Sequence, residues 1–222
     1  MTIKFFNDPE RLLKLWQILF SGVGMTLNLF ALTLLLSLPL GVLVAVGRMS
    51  KRRYIQKPIS VYIYVIRGTP LMLQILFTYF LLPEILPFKL DRFWAVVVAF
   101  VINYAAYFAE IFRGGIESIP RGQREAGQVL GFTRGQIFMR IVLPQAIKRV
   151  LLPVTNEVIT LVKDTALAST VAIMEVMSLA RKQVNGSSSV EPYIVAAIIY
   201  LLLNGAAEQL CKFVGRKLSY YR

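Results

Sequence analysis

Histidine is absent from the 222 residues of this chain, and cysteine occurs once, as Cys211. Without an imidazole, the chain lacks the side chain that most often moves protons near neutral pH and binds metal ions. A lone cysteine excludes an intrachain disulfide and a Cys-x-x-Cys metal site. Asp, His and Cys are nowhere clustered at the spacings that metal or nucleophile sites require, so the sequence gives no indication of an enzyme active site.

Charge is also missing from long stretches of the sequence. Residues 15–47 contain no charged side chain, residues 93–112 contain only Glu110, and residues 192–211 contain only Glu208. Hydrophobic residues make up 56% of the chain. Uncharged runs of this length are typical of membrane-spanning helices, because soluble helices place charges between their apolar positions.

Acidic residues are few, 12 against 25 Lys and Arg, and the net charge is +13. The basic surplus lies in residues 48–57, 113–149 and 212–222, whereas the connections at 83–92 and 175–192 are neutral. Basic and neutral connections therefore alternate between the hydrophobic runs, as the positive-inside rule describes. The alternation predicts an N-terminus outside and a cytoplasmic C-terminus. It also argues against a nucleic-acid-binding protein, because no aqueous basic face is left to bind nucleic acid.

These runs predict an all-α, polytopic membrane protein with about five transmembrane helices, in a single domain over residues 1–222. The predicted spans lie near residues 16–47, 57–82, 93–112, 146–174 and 192–211. The first run is longer than the hydrocarbon thickness requires, so we expect it to tilt, to kink at Pro39 or to extend into the interface.

The second span contains the sequence IRGTPLMLQ, residues 66–74, in which Arg67 precedes Pro70. Proline removes a backbone donor and collides with the carbonyl four residues earlier, so we expect the helix to break here. At membrane depth a broken backbone must be covered by protein or must line a water-filled cavity. Alternatively, residues 54–66 lie at the cytoplasmic interface and the span itself begins near Thr69.

Polar residues of the third span recur on one helical stripe, at spacings of 4, 3 and 4: Asn103, Tyr107, Glu110 and Gly114. Glu110 lies near the basic end of this span and close to Arg113. We therefore interpret Glu110 as a member of a structural ion pair, with Arg67 as another candidate partner.

In the fourth span, Glu157 and Thr160 share one helical face, with Asn156 beside them. Glu157 comes nine residues after Lys148 and therefore lies roughly 13 Å further along a helix, near the bilayer midplane. An ionisable residue at that depth is costly and is by default a functional candidate that faces the protein interior. The alternative is a structural role, in which Glu157 only pairs with a neighbouring basic residue.

The connection at residues 113–146 contains recurring apolar residues and is predicted to form short cytoplasmic amphipathic helices. Gly127 and Gly131 are four residues apart and would leave a flat strip on one helix face, open to another backbone. Glu125 would lie near the start of this helix and suit the positive end of its dipole. One face would pack on the membrane domain and the other would meet a partner; the alternative is an ordinary interfacial helix.

Two motifs in this connection carry a family resemblance: E-A-G-x-x-x-G from Glu125 to Gly131, and I-x-L-P from Ile141 to Pro144. The pattern resembles the EAA loop of permease subunits in bacterial ABC importers. Gly127 stands where that signature usually has a second alanine, and glycine is small enough for the same packing.

Further segments resemble the histidine/glutamine family of polar amino acid permeases. They are RGTPL (67–71), AYFAEIFRGGIESIPRGQ (106–123) and LVKDTAL (161–167). The resemblance covers most of residues 20–175, and the motifs together are far more specific than any one of them.

The resemblance implies the type I ABC importer permease fold and a transmembrane subunit that moves its cargo by alternating access. The helix from about Glu125 to Phe132 would occupy a cleft of an ATP-hydrolysing subunit. The implied coupling residues are Glu125, Ala126, Gly127, Leu130, Gly131 and Phe132. Because the chain has no GxxxxGK(S/T) loop, ATP and Mg would be bound by the partner ATPase, and no cofactor is expected in this chain.

The resemblance also implies the partners. They are two copies of an ABC ATPase, a second permease copy or a homologous permease, and an extracellular or periplasmic amino-acid-binding protein. Five spans are few to enclose a pathway, which favours a paired permease. The expected location is the bacterial plasma (inner) membrane, as a multi-pass protein.

A polar amino acid presents an ammonium and a carboxylate to its pathway. Glu157, Asn156 and Thr160 would meet an ammonium or a cationic side chain, whereas Arg67 and the broken backbone at Thr69 would meet a carboxylate. The acid at position 157 favours basic amino acids, although it would equally serve the common α-ammonium. The rival hypothesis is an ion- or proton-coupled secondary transporter or channel subunit, but the sequence shows neither internal repeats nor histidine.

Overall fold

The computed structural model describes residues 8–85 and 91–217. These residues form eleven α-helices and contain no strand, which confirms the all-α prediction. The ends of the predicted domain 1–222 lie outside the described residues. The helices are α1 Pro9–Ser21, α2 Val23–Arg48, α3 Arg53–Gly68, α4 Leu71–Leu76, α5 Leu82–Ile85, α6 Arg92–Glu117, α7 Arg121–Val129, α8 Arg134–Ile137, α9 Leu143–Asp164, α10 Val176–Ser187 and α11 Glu191–Lys217.

Three further turns of helix are not α-helical. A π-helical turn at Phe77–Leu81 joins α4 to α5, and another at Phe138–Val142 joins α8 to α9. A 3₁₀ segment, Thr165–Val171, follows α9. The predicted connection 113–146 therefore shares its first residues with α6 and its last residues with α9.

Among the described residues, three helical stretches are long and apolar enough to cross a membrane: Pro9–Arg48, Arg92–Glu117 and Glu191–Lys217. A fourth is obtained when Arg53–Gly68 and Leu71–Ile85, which a break separates, are taken as one span. The fourth predicted span, residues 146–174, corresponds to α9, which does not qualify on composition. Every 18-residue stretch of α9 contains Lys148, Arg149 and Glu157, so its polarity must be matched by protein or water.

The helix break predicted at Pro70 is confirmed. α3 ends at Gly68, and α4 begins at Leu71 with Pro70 in an extended conformation as its N-cap. By contrast, Pro39 lies inside the continuous helix α2, and the first span is divided earlier, at Gly22.

Contacts between residues divide the chain into two compact units. The first comprises the stretches up to residue 35, 69–101 and 158–209. The second comprises residues 36–68, 102–157 and the stretch from 210 onward.

In the first unit, α1 packs against α10 and α11. The buried side chains of this core include Leu15 and Leu19 from α1, Val176 from α10 and Ile199 from α11. Gly22 allows this packing, because a Cβ there would lie 2.8 Å from the backbone nitrogen of Val176. Only glycine fits so close an approach.

In the second unit, small residues bring the helices together. Ala45, Ala106 and Ala109 are buried against Ile63. A Cβ on Gly41 would lie 2.8 Å from the Cβ of Phe108, so α2 and α6 approach more closely there than larger side chains allow. Small residues at helix contacts are the usual packing device of membrane helices, which cannot rely on hydrophobic exclusion from lipid.

Candidate functional site

The predicted coupling segment forms a helix–turn–helix. α7 begins at Arg121, directly after Pro120, and ends at Val129. The predicted helix from Glu125 to Phe132 is therefore displaced by about one turn, and the expectation that Glu125 lies near its start is wrong. The first turn of α7 contains no acidic residue. Glu125 and Ala126 instead lie on the exposed side of the middle of the helix.

The end of α7 is fixed by a left-handed residue. Gly131 has φ +77°, a conformation that costs a residue with a Cβ about 1–2 kcal/mol. It allows the amide of Phe132 to donate to the carbonyl of Gly127 at 3.0 Å and the amide of Gly131 to donate to the carbonyl of Gln128 at 2.9 Å. This pair of bonds is the Schellman motif, and it satisfies carbonyls that the helix leaves unpaired.

The flat glycine strip predicted from the sequence is wrong. Gly131 lies beyond the helix, and Gly127 is the one buried residue of α7. A Cβ on Gly127 would lie 2.9 Å from Ile137 Cγ1 and 2.9 Å from Ile141 Cδ1. The glycine at position 127 thus serves packing within this chain, because it lets α7 lie on those two isoleucine side chains.

Helix α8 is held at its start by a capping box. The Thr133 hydroxyl accepts from the Gln136 amide at 3.3 Å, and the Gln136 side-chain oxygen accepts from the Thr133 amide at 2.9 Å. Beneath the two helices lies a small buried core of Ile119, Ile137, Val142 and Ala146, with Phe132 packed against it. Phe132, predicted as a coupling residue, therefore anchors the segment from within.

The tip of α7 is apolar and exposed. Val129 is 88% exposed and Leu130 is 71% exposed. These two adjacent apolar side chains form a small exposed surface, and covering that surface would be favourable because apolar area would leave water. The segment therefore combines a rigid inner face with an apolar outer tip.

A second cluster surrounds Glu110 on α6. Its carboxylate lies 2.6 Å from Arg113 Nη2, 3.6 Å from Arg48 Nε and 3.9 Å from Arg67 Nη1. Arg113 also contacts Glu117. These contacts confirm the interpretation of Glu110 as a structural ion-pair partner and add Arg48, which the sequence reasoning did not name.

Arg67 is engaged twice. Besides Glu110, its guanidinium carbon lies 5.1 Å from the ring centroid of Tyr107, within the range of a cation–π contact. Tyr107 and Glu110 are three residues apart on α6, and both contact Arg67, as two residues on one helical face can. The side chain of Arg67 remains 43% exposed, so a ligand can reach its guanidinium group.

The predicted pathway residues fall into both units. Asn156 and Glu157 belong to the second unit together with Arg67, whereas Thr69 and Thr160 belong to the first. On α9 itself, Asn156 is exposed and Glu157 and Thr160 are partly buried.

The break before α4 has a side chain that completes its hydrogen bonding. Gln74 Nε2 donates to the carbonyl of Thr69 at 3.1 Å and to its hydroxyl at 2.9 Å. The broken backbone is thereby partly satisfied without water, as a segment at membrane depth requires. Sequence reasoning missed Gln74, although an amide four residues after a helix-breaking proline is a usable signal.

A buried carboxylate was also missed. Glu175 is fully buried and caps α10, where its oxygens accept from the amides of Met177 at 2.7 Å and Ser178 at 2.6 Å. The hydroxyl of Tyr200 donates to the same carboxylate at 2.6 Å. The signal in the sequence is an acid directly before a helical run, the usual position of an N-cap.

Within residues 8–85 and 91–217 there is no group of three or more His, Cys, Asp or Glu side chains able to hold a metal ion. The features of interest are the helix–turn–helix of α7 and α8, the arginine–carboxylate cluster around Glu110 and the polar residues along α9.

Comparison with known proteins gives consistent matches. The chain matches the family described as "Binding-protein-dependent transport system inner membrane component" over residues 37–220. The octopine transport system permease protein OccM of Rhizobium radiobacter is 40% identical over 206 residues, which cover 89% of this chain and 84% of that protein. The arginine transport system permease protein ArtQ of Bacillus subtilis is 37% identical over 199 residues, which cover 89% of this chain and 91% of that protein.

A solved structure resembles the whole fold. The crystal structure of an amino acid ABC transporter with histidines contains a chain that superposes with a TM-score of 0.88 at 33% sequence identity. The match covers 98% of this chain and 100% of that chain.

Proposed function

Because this chain belongs to the family of binding-protein-dependent transport system inner membrane components, we propose that its cargo is a polar amino acid, with basic amino acids preferred. The chain is a multi-pass membrane permease subunit of an ATP-driven importer, and ATP is hydrolysed in a separate subunit. Membership of this family disfavours the rival hypothesis of an ion-coupled secondary transporter.

The substrate proposal rests on Glu157. This partly buried acid lies on α9 beside the exposed amide of Asn156 and one turn before Thr160. A carboxylate and an amide at that position are suited to an ammonium or guanidinium group. The names of two relatives, the octopine and arginine permeases, support a basic cargo. Arg67 and Thr69 then meet the cargo carboxylate at the helix break.

Uptake by proteoliposomes that contain the complete transporter tests this proposal. Glu157→Gln is expected to raise the KM for arginine uptake about ten- to hundredfold, since a hydrogen bond to a charged group contributes about 1.5–3 kcal/mol. Glu84→Gln, which alters an exposed carboxylate of α5, is the matched control and should leave KM unchanged. An unaltered KM in Glu157→Gln would contradict the assignment, and a panel of neutral and acidic amino acids would reveal a different cargo.

We further propose that α7 and its tip dock into a cleft of the ATPase, with Glu125, Ala126 and Leu130 at the contact. The exposed side chains of Val129 and Leu130 would supply the apolar contact. Gly127, Gly131 and Phe132 would contribute indirectly. They fix the packing and the end of α7, and α7 carries the contacting residues. Two ATPase copies that close on ATP and Mg would move two such segments, one from each permease of a pair.

Crosslinking tests this docking. In a Cys211→Ser background, Ala126→Cys is expected to crosslink to a cysteine placed in the cleft of the ATPase. Glu84→Cys on α5 is the control and should not react. If Ala126→Cys gives no crosslink in a complex that still hydrolyses ATP, α7 is not the docking helix.

The proposed orientation places the N-terminus outside and the C-terminus in the cytoplasm, with a binding protein delivering cargo on the outer side. The basic surplus of residues 48–57 and 113–149 supports it. In intact cells, a membrane-impermeant maleimide should therefore leave Ala126→Cys unlabelled and should label it only after the membrane is opened. Labelling of intact cells would reverse the orientation.

A further inference from the structure

Two depressions adjoin one another in the second unit. The first has a volume of about 610 Å³, and four arginines line it: Arg48, Arg113, Arg124 and Arg134. Its one acidic lining residue is Glu117. The second has a volume of about 590 Å³ and is walled by aliphatic and aromatic side chains without any charge. We refer to them as the arginine pocket and the apolar groove.

The arginine pocket carries an excess of positive charge. Arg113 contacts Glu110 and Glu117, and Arg48 lies 3.6 Å from Glu110. Even with both of these carboxylates counted, four guanidiniums leave a surplus of two positive charges. Within the part of the chain that the structure describes, neither Arg124 nor Arg134 forms an ion pair. The pocket is therefore suited to an anion.

The two depressions are continuous, because Met49, Ile116 and Phe138 line both. The apolar groove is open at the surface of the protein along α2 and α9, where Val46 is 61% exposed and Ile147 is 39% exposed. An occupant that reaches from one depression into the other must therefore combine a negative charge with an apolar chain.

We propose that this composite site binds one anionic phospholipid of the membrane, with its headgroup phosphate in the arginine pocket and an acyl chain in the apolar groove. Basic pockets between helices at the cytoplasmic face of membrane proteins bind anionic headgroups in this manner. A free phosphate ion would leave the apolar groove unfilled, and an apolar peptide would leave the four arginines without a counter-charge. A zwitterionic lipid would bring its own positive charge among the guanidiniums.

The lipid would connect the membrane helices with the docking segment. Arg48 and Arg113 lie on α2 and α6, whereas Arg124 is on α7 and Arg134 on α8. A headgroup held by both pairs therefore stiffens α7 against the helices that carry it. This inference rests on the proposed orientation of the chain in the membrane, but it is independent of the cargo and of ATPase docking.

Lipid binding by the purified full-length chain tests the proposal, with phosphatidylglycerol and phosphatidylcholine titrated in detergent and the bound lipid counted by native mass spectrometry. Phosphatidylglycerol should be retained in preference to phosphatidylcholine. Arg124→Gln and Arg134→Gln should each lower its affinity about fivefold, since one basic residue near a membrane surface contributes about 1 kcal/mol to binding an anionic lipid. Arg124→Lys and Arg134→Lys keep the charge and should retain most of the affinity.

The matched control is Arg140→Gln. Arg140 lines a second basic depression, of about 490 Å³, together with Lys148 and Arg149, but that depression does not share residues with the apolar groove. Its substitution should change phosphatidylglycerol binding by less than twofold. Thermal unfolding of each variant in detergent confirms that it is folded.

Two further measurements distinguish a bound lipid from a bound free anion. Val46→Trp, which fills the groove and keeps all four arginines, should weaken phosphatidylglycerol binding, and millimolar inorganic phosphate should fail to displace the lipid. Displacement by inorganic phosphate, or full retention in Val46→Trp, would replace the lipid site with a simple anion site and overturn the proposal. Equal binding of both lipids, or phosphatidylglycerol binding that survives the loss of Arg124 and Arg134 together, would also overturn it.

Discussion

The amide of Phe132 donates a hydrogen bond of 3.0 Å to the carbonyl of Gly127, across a turn that the left-handed backbone of Gly131 makes possible. This bond fixes the direction in which the chain leaves α7. It also places Leu130, which is 71% exposed, at the tip of the helix and Phe132 against the core beneath it. The geometry of the exposed tip of α7 therefore depends on glycine at position 131, because glycine adopts φ +77° without a steric cost.

We expect Gly131→Ala to destabilise the turn by about 1–2 kcal/mol, the cost of a Cβ in the left-handed region. Hydrogen exchange of the Phe132 amide should accelerate, and uptake by the assembled transporter should fall because the tip is displaced. Gly135→Ala, in α8, is the control: its backbone is helical, and apart from the adjoining residues and the backbone of its own helix nothing lies within 4 Å of the Cβ position. Equal exchange rates in the two variants would show that the turn does not depend on glycine.

Gly127 is expected to tolerate alanine and to reject larger side chains. A Cβ there would press on Ile137 and Ile141 at 2.9 Å, but the gain in helix propensity of alanine over glycine, about 1 kcal/mol, offsets part of that crowding. Gly127→Ala should therefore remain within about 1 kcal/mol of the parent protein. Gly127→Val should lose about 1–3 kcal/mol, typical of an overpacked core. Thermal unfolding in detergent measures both, and equal effects would contradict the packing role.

Much of the architecture was predictable from local chemistry. The absence of charge over residues 15–47 and 192–211 predicted helices, and Pro70 predicted the break, since each effect acts through a few neighbouring residues. The ion pair of Glu110 with Arg113 was also predictable, because residues three apart on a helix are neighbours.

The parts that could not be predicted depend on tertiary contacts. Nothing near Gly127 in the sequence shows that Ile137 and Ile141 cover it. The sequence therefore predicts, wrongly, that Gly127 lies on an exposed strip of the helix. Arg48 is 62 residues from Glu110 and entered its cluster only through the packing of α2 on α6. The bond from Tyr200 to Glu175 likewise joins residues 25 apart.

Removal of the Glu110 charge is expected to destabilise the second unit. Glu110→Gln leaves the guanidiniums of Arg48, Arg67 and Arg113 with only the exposed carboxylate of Glu117, which contacts Arg113, to offset their charge. Because Glu110 is only partly buried, we expect a loss of about 1–3 kcal/mol. Glu117→Gln is the control: this carboxylate is 53% exposed, and its pairing with Arg113 should contribute at most about 1 kcal/mol.

Salt provides a second measurement of the same cluster. High ionic strength screens the repulsion between the three arginines. Added salt should therefore recover part of the thermal stability that Glu110→Gln loses, and should have little effect on Glu117→Gln. If Glu110→Gln unfolds at the temperature of the parent protein at low salt, the cluster does not stabilise the fold.

The buried Glu175 is expected to make the stability of the first unit depend on pH. Burial raises the pKa of this carboxyl above its ordinary value, although the donors Tyr200, Met177 and Ser178 oppose the shift by stabilising the carboxylate. The folded state therefore binds the proton more tightly than the unfolded state does. This contribution to stability is fully present below the unfolded pKa, about 4.3, and is lost as the pH rises through the folded pKa.

Unfolding temperatures in detergent across this range measure the effect. The unfolding temperature of the parent protein should decline from about pH 4.3 upward. Glu175→Gln cannot ionise at this position, so its unfolding temperature should lack the part of the decline that Glu175 causes. Tyr200→Phe removes one donor to the carboxylate, so the pKa of Glu175 should rise further and the decline should extend to higher pH. The same pH dependence in the parent protein and in Glu175→Gln would assign it to other groups and leave Glu175 only its capping role on α10.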